Sequence, residues 1–168
     1  MNIASPSEKS IGLKGIIPFL SIFILILFMV LPYKLALFSD IMPFLTLIGV
    51  YYWSVFRAEL MPTWCVFLLG LIQDILMGSP FGMMPLLLVI VQQVIFIQGP
   101  RFLERDFIFN WLVFVMLVAG FAAASWGIAS IYFRSMMEYW GLIGQALMTV
   151  AFYPIITWLL GQVRKLLK

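Results

Sequence analysis

Histidine is absent from this sequence of 168 residues, and cysteine occurs once, as Cys65. Without histidine the chain cannot provide bis-histidine haem ligation, serine–histidine catalysis or the commonest zinc sites. A single thiol cannot form an internal disulfide or a thiolate cluster, so we interpret Cys65 as a small apolar residue inside a helix. We therefore expect neither a metal site nor a cofactor.

Acidic residues are also scarce, and among the seven only Asp74 falls inside a long apolar segment. An intramembrane aspartyl protease needs two carboxylates that share a proton, and the second is missing from the apolar segments. No glycine-rich phosphate loop is present either. The inventory predicts no catalytic residues and a protein that is not an enzyme.

Charge is rare overall, because only 10% of the residues are charged while 64% are hydrophobic. An ordinary soluble domain is about 25% charged and roughly 45–50% apolar. The mean hydropathy of +1.12 agrees with this imbalance. The composition predicts an all-α integral membrane protein located in the bilayer.

Six apolar segments approach or reach the length of a membrane span, for which roughly 20 helical residues suffice. They predict one six-helix membrane domain over residues 1–168, with spans at about 15–37, 41–56, 60–77, 82–98, 107–133 and 137–160. Asp40 is a candidate cap for the second helix, with Pro43 in its first turn, and Pro62 begins the third helix. The pairs Gly78 with Pro80 and Gly99 with Pro100 are stop signals for the third and fourth.

Lysine and arginine positions predict the orientation. With the amino terminus in the cytoplasm, eight basic residues lie on the inner side and only Lys34 and Arg134 on the outer side. Such a bias follows the positive-inside rule and places both termini in the cytoplasm. The topology also accounts for the net charge of +3, so nucleic-acid binding is not needed to explain it.

Asp74 is the most informative residue, since a charge at membrane depth costs roughly 2.5–3.5 kcal/mol on insertion scales. In one interpretation, the Asp74 carboxylate is solvated near the outer interface or hydrogen-bonded to the Gly78–Gly82 turn. It could otherwise fix a neighbouring helix, or form a proton or ion site. Gly70, Asp74 and Gly78 are spaced by four and share a helix face, which predicts a packing seam around the carboxylate.

A second row of small residues occurs in the fifth span at Ala119, Ala123 and Gly127, again at intervals of four. Such rows permit close helix approach in lipid, either within the bundle, as we expect, or against a partner's helix.

Gln92 and Gln93 in the fourth span are predicted donors of hydrogen bonds between helices. The run Tyr51–Trp53 is predicted to belong to an aromatic belt at the inner interface.

The segment from Tyr52-Trp53 through Pro62 to Gly70-x3-Asp74-x3-Gly78-x-Pro80-x-Gly82 resembles the bacterial rod shape-determining protein MreD. The motif-bearing resemblance covers roughly residues 40 to 90, and six spans fit the same family. It implies a role in the elongation machinery of the inner membrane, docking the bitopic protein MreC and linking it to peptidoglycan synthesis. The implied partners also include the MreB filament and RodA with its penicillin-binding transpeptidase.

The resemblance further implies a six-helix bundle similar to the substrate-binding subunit of vitamin (ECF-type) transporters. That subunit is the alternative function, a protein that binds a small ligand within its bundle. Its candidate ligand contacts are Gln92, Gln93, Asn110, Asp74 and Trp126. A ligand-binding subunit should co-purify with a small molecule, whereas a scaffold should co-purify with a single-span protein.

Overall fold

The computed structural model describes residues 7–30, 42–102, 107–134 and 139–165, and within these ranges it is helical, with no strand. The predicted all-α class is therefore confirmed. The helices are α1 (Ser7–Val30), α2 (Leu45–Phe56), α3 (Thr63–Met77), α4 (Met83–Phe102), α5 (Phe107–Phe133) and α6 (Tyr139–Lys165). A 3-10 turn, Ala58–Leu60, connects α2 to α3.

Helix α2 forms the centre of the bundle, and every one of its residues apart from Phe56 is buried. It packs against α1, α4 and α6. A helix that is apolar on all sides belongs in the interior of a bundle. The approach of α1 is close, because a Cβ added at Gly49 would lie 2.8 Å from the Cγ1 atom of Ile22.

Consecutive helices run in opposite directions. The Trp53 indole donates to the Ser21 hydroxyl at 2.9 Å, and the Thr46 hydroxyl donates to the Met29 sulfur at 3.7 Å, so α1 and α2 are antiparallel. The Gln93 amide donates to the Thr63 hydroxyl at 3.2 Å across α3 and α4. This pairs the start of α3 with the latter part of α4, which makes those two antiparallel as well.

The alternation gives the bundle two ends, which we name after a residue at each. The Asp74 end holds the end of α3 and the start of α4, and there the Phe44 amide donates to the Thr149 hydroxyl at 2.9 Å. The Arg57 end holds the end of α2 and the start of α3. At that end the Arg164 guanidinium lies 4.9 Å from the centre of the Phe56 ring, so α6 runs parallel to α2.

Large apolar side chains also cover much of the outer surface, on several helices. Two stretches, Ile108–Phe133 in α5 and Trp140–Lys165 in α6, are long and apolar enough to cross a membrane. Four shorter apolar stretches lie in the other helices: Gly15–Val30, Leu45–Phe56, Thr63–Met77 and Met83–Ile97.

Several predicted boundaries need correction. The span 107–133 coincides with α5, but α1 begins at Ser7 and its described part ends at Val30, while α6 continues to Lys165. Helix α4 passes through Gly99-Pro100 to Phe102, so this stop signal was wrong. A proline inside a helix removes one amide donor and crowds the carbonyl four residues earlier, which disfavours the helix without excluding it. Helix α2 begins at Leu45, after Pro43, and Asp40 lies outside the described residues.

The prediction of an aromatic belt at residues 51–53 was also wrong. Tyr51 and Trp53 are among the largest fully buried side chains, and Tyr52 is 4% exposed. Their polar atoms find partners inside the bundle, since the Tyr51 hydroxyl donates to the Asn110 carbonyl at 3.0 Å and the Trp53 indole reaches Ser21. A tyrosine or tryptophan side chain can be buried when its hydroxyl or indole N–H group has a hydrogen-bond partner.

Candidate functional site

The Asp74 carboxylate lies in the last turn of α3 and is 2% exposed. Three donors converge on it. The Ser79 hydroxyl donates to Oδ1 at 2.5 Å, the Gly82 amide to Oδ2 at 2.7 Å, and the Met84 amide to Oδ1 at 3.2 Å. The hydrogen bonds expected from the turn are therefore present, and they extend into the next helix.

These bonds cap the amino end of α4, whose first amides have no partner inside the helix. The Asp74 carboxylate takes the donors at positions 82 and 84. Between them the Met83 amide donates to the Pro80 carbonyl at 3.0 Å, and Pro85 carries no amide hydrogen. The carboxylate of one helix thus performs the work of an N-cap for the following helix, where a negative charge is favourable.

Two glycines shape the connection between α3 and α4. Gly78 has φ of 67° and ends α3, with its amide donating to the Asp74 carbonyl at 3.0 Å, and Gly82 has φ of 93°. Glycine adopts these left-handed conformations without the steric cost of a Cβ. No atom of the described residues lies within 4 Å of a Cβ added at Gly78, so within this part of the chain the prediction that Gly78 belongs to a packing seam was wrong.

The predicted close approach occurs at Gly70 instead. A Cβ added there would overlap the backbone of Pro85, so α4 contacts the bare backbone of α3 one turn before Asp74. The missing side chain lets the two helices meet closely enough for the Asp74 carboxylate to reach the first amides of α4. The sequence spacing revealed this face, but it did not reveal that the donors belong to a helix terminus.

The row of small residues on α5 faces outward. Ala119 and Ala123 are exposed and Gly127 is half-buried, and none of the residues that the structure describes has an atom within 4 Å of a Cβ added at Gly127. The expectation that this row packs inside the bundle was therefore wrong. The buried residues of α5 include Phe114, Val118 and Phe121, on a different side of the helix.

Both glutamines of α4 donate hydrogen bonds, but only Gln93 bridges two helices as predicted, because Met61 lies in the connection before α3. The Gln92 amide donates to the Met61 carbonyl at 2.7 Å, and Gln93 bonds Thr63. Both bonds lie near the Arg57 end, whereas Asp74 lies at the other end. Trp126 lines a cavity of about 290 Å³ near the Asp74 end. The candidate ligand contacts therefore do not converge on a single site.

A bridge between α1 and α2 was not recognised in the sequence. The Trp53 indole donates to the Ser21 hydroxyl, which in turn donates to the Pro18 carbonyl at 2.8 Å. Serine in an apolar helix often bonds its own backbone, so the residue type gave no clue to this cross-helix partner. Among the described residues, no three histidine, cysteine, aspartate or glutamate side chains cluster in a way that could hold a metal ion.

Comparison with known proteins adds one relative to these observations. An uncharacterized protein of Rickettsia prowazekii (strain Madrid E) is 28% identical over 135 residues, which are 80% of this chain and 76% of the relative. No family model matches the chain. No solved structure matches it either.

Proposed function

We propose that the chain is a six-span protein of the bacterial inner membrane with both termini in the cytoplasm. The two long apolar helices, the antiparallel pairs α1–α2 and α3–α4 and the large apolar side chains on the surface support this placement. The bias of eight basic residues to two supports the orientation. In this orientation the Arg57 end is cytoplasmic and the Asp74 end is periplasmic.

Within that membrane we propose a non-enzymatic role in cell elongation, as in MreD. The observation that carries this proposal is the joint between α3 and α4. The part of the motif from Gly70 to Gly82 forms it, with Gly70 against Pro85, Gly78 and Gly82 in left-handed conformations, and Asp74 accepting three hydrogen bonds. Because these motif residues serve the packing and hydrogen bonding between two helices, they suit a scaffold better than a catalyst.

The partner proposed for this scaffold is a single-span protein similar to MreC, which the chain would link to RodA, its penicillin-binding transpeptidase and the MreB filament. The outward row Ala119, Ala123 and Gly127 supports a docking role for α5, because small residues let a second helix approach closely in lipid. The joint at Asp74 would then hold α4 in position beside α5, with which it is in contact.

Co-purification tests this proposal. The tagged chain is extracted in mild detergent from the bacterium that encodes it, and bound proteins and small molecules are both identified by mass spectrometry. We expect a single-span protein with a coiled-coil segment, in a ratio that survives washing. Recovery of a stoichiometric small molecule with no such protein would favour the ligand-binding subunit and contradict the scaffold.

A further inference from the structure

A groove of about 370 Å³ opens between α1 and α3 near the Arg57 end. Its walls are apolar side chains, which include Phe19 from α1 and Trp64 and Leu68 from α3. Leu60 and Cys65, both 6% exposed, form its buried base. An open groove lined by apolar side chains can accept the apolar part of a ligand.

Gly15 keeps the groove open on the α1 side. A Cβ added at Gly15 would have only the Leu60 carbonyl oxygen nearby, at 3.9 Å, so a larger side chain would extend into free space. The helix backbone therefore tolerates a side chain at this position, and the shape of the groove depends on its absence.

A pair of opposite charges lies at the mouth of the groove. Glu59 lines the groove, and its carboxylate is 3.1 Å from the Arg57 guanidinium. The side chains of Arg57 and Glu59 are 34% and 65% exposed, so both retain capacity for a further partner. An Arg guanidinium suits a phosphate, and a carboxylate accepts hydrogen bonds from an ammonium.

We propose that this groove binds one acyl chain of a phospholipid whose headgroup carries a phosphate and a primary ammonium, such as phosphatidylethanolamine. The phosphate contacts Arg57, the ammonium contacts Glu59, and the chain lies against Phe19, Trp64 and Leu68. This inference rests on the membrane placement proposed above, which puts the Arg57 end at the cytoplasmic headgroup layer. A trimethylated headgroup has no N–H donor for Glu59, and a phosphatidylglycerol headgroup has no ammonium to pair with the Glu59 carboxylate.

The size of the groove favours an acyl chain over a partner helix. A helix with its side chains is about 10–12 Å across. An acyl chain is thinner and flexible, and it can follow the narrow space between α1 and α3.

Fluorescence quenching by phospholipids with brominated acyl chains tests the proposal in reconstituted vesicles of phosphatidylcholine. Trp64 and Trp158 are matched reporters, since they are 63% and 66% exposed and only Trp64 lines the groove. The signal of each is isolated by comparison with Trp64→Phe or Trp158→Phe. Brominated phosphatidylethanolamine, phosphatidylcholine and phosphatidylglycerol are added at equal mole fractions.

We expect the lipid occupancy beside Trp64 to be roughly two- to fivefold higher for phosphatidylethanolamine than for the other two lipids. A partly exposed ion pair gives a preference of this size. Trp158 should show no preference. Glu59→Gln should remove the preference at Trp64, and Gly15→Leu should remove it by filling the groove. Gly120→Leu, a matched control with open space around its Cβ, should leave the preference intact.

Three other results would overturn the proposal, each in its own way. Equal quenching of both tryptophans by all three lipids would leave only ordinary boundary lipid. Quenching of Trp158 with none at Trp64 would mean that protein covers the groove. If neither tryptophan were quenched, the chain would not be embedded in the vesicles, and the proposed membrane function would fail together with the lipid site.

Discussion

At the scale of single residues, Asp74 shows how a carboxylate can be retained in an apolar segment. Its position at the carboxyl end of α3 is unfavourable for an anion, but its side chain faces the amino end of α4, where an anion is favourable. The favourable position dominates because the Gly82 amide just before α4 and the Met84 amide in its first turn donate directly to the carboxylate, in addition to the Ser79 hydroxyl. These bonds offset the cost of its burial.

Two substitutions of Asp74 should show how much its hydrogen bonds contribute to the free energy of unfolding. Asp74→Asn presents one oxygen and one NH₂ group, and whichever way the amide is oriented, the NH₂ group faces a backbone amide at position 82 or 84. We expect a loss of about 1–3 kcal/mol in unfolding free energy for that unsatisfied donor. Asp74→Leu leaves the Gly82 and Met84 amides without their acceptor and should cost about 2–6 kcal/mol, at about 1–3 kcal/mol for each unsatisfied donor. Chemical unfolding in detergent measures both.

The alternative role of Asp74 as a proton or ion site predicts a different pattern. Asn would then be as damaging to function as Leu, while protein abundance, unfolding free energy and partner capture stayed normal for both variants. That pattern would contradict the structural role.

At the scale of helices, the contact of α3 with α4 depends on the bare backbone of Gly70. A methyl group at Gly70 would overlap Pro85, so Gly70→Ala should push the helices apart and destabilise the protein by about 1–3 kcal/mol. Gly120→Ala is the matched control, because it has open space around the added Cβ and gains helix propensity of up to about 1 kcal/mol. Equal unfolding midpoints for the two variants would show that the close contact is unimportant.

The outward face of α5 calls for a different experiment. Gly127→Leu has open space around its Cβ, so the isolated protein should keep its thermal midpoint. If a partner's helix docks on this face, the bulkier side chain should reduce recovery of the single-span partner by roughly tenfold, about 1.4 kcal/mol. Unchanged recovery would show that the row does not contact the partner, and a lowered midpoint would show that it packs within the protein.

The helical class and the existence of the helices were predictable from apolar length, and α5 was predicted with its bounds because no proline or glycine pair interrupts it. Gly99-Pro100 misled the prediction, since a proline near a helix end is compatible with continued helix. The sequence also identified Asp74 and Gly70 as neighbours on one face. It could not show that the partner of that face is the amino end of α4, because hydrogen bonds between helices depend on tertiary packing.

At the scale of the whole molecule, the six-span placement predicts where the termini lie. A reporter fused after Lys168 should be active in the cytoplasm, and one inserted near Ser135 should be active in the periplasm. The physical reason is the excess of Lys and Arg that the proposed orientation places on the cytoplasmic side. A carboxyl terminus in the periplasm would contradict the six-span placement.

The central proposal is that the chain is a membrane scaffold for cell elongation, and cell shape upon depletion tests it most directly. In the bacterium that encodes the chain, its depletion should convert rods into rounded cells, and re-expression of the wild type should restore rods. Asp74→Leu should fail to restore them, because the joint between α3 and α4 is lost. Depleted cells that grow as normal rods would contradict the proposal.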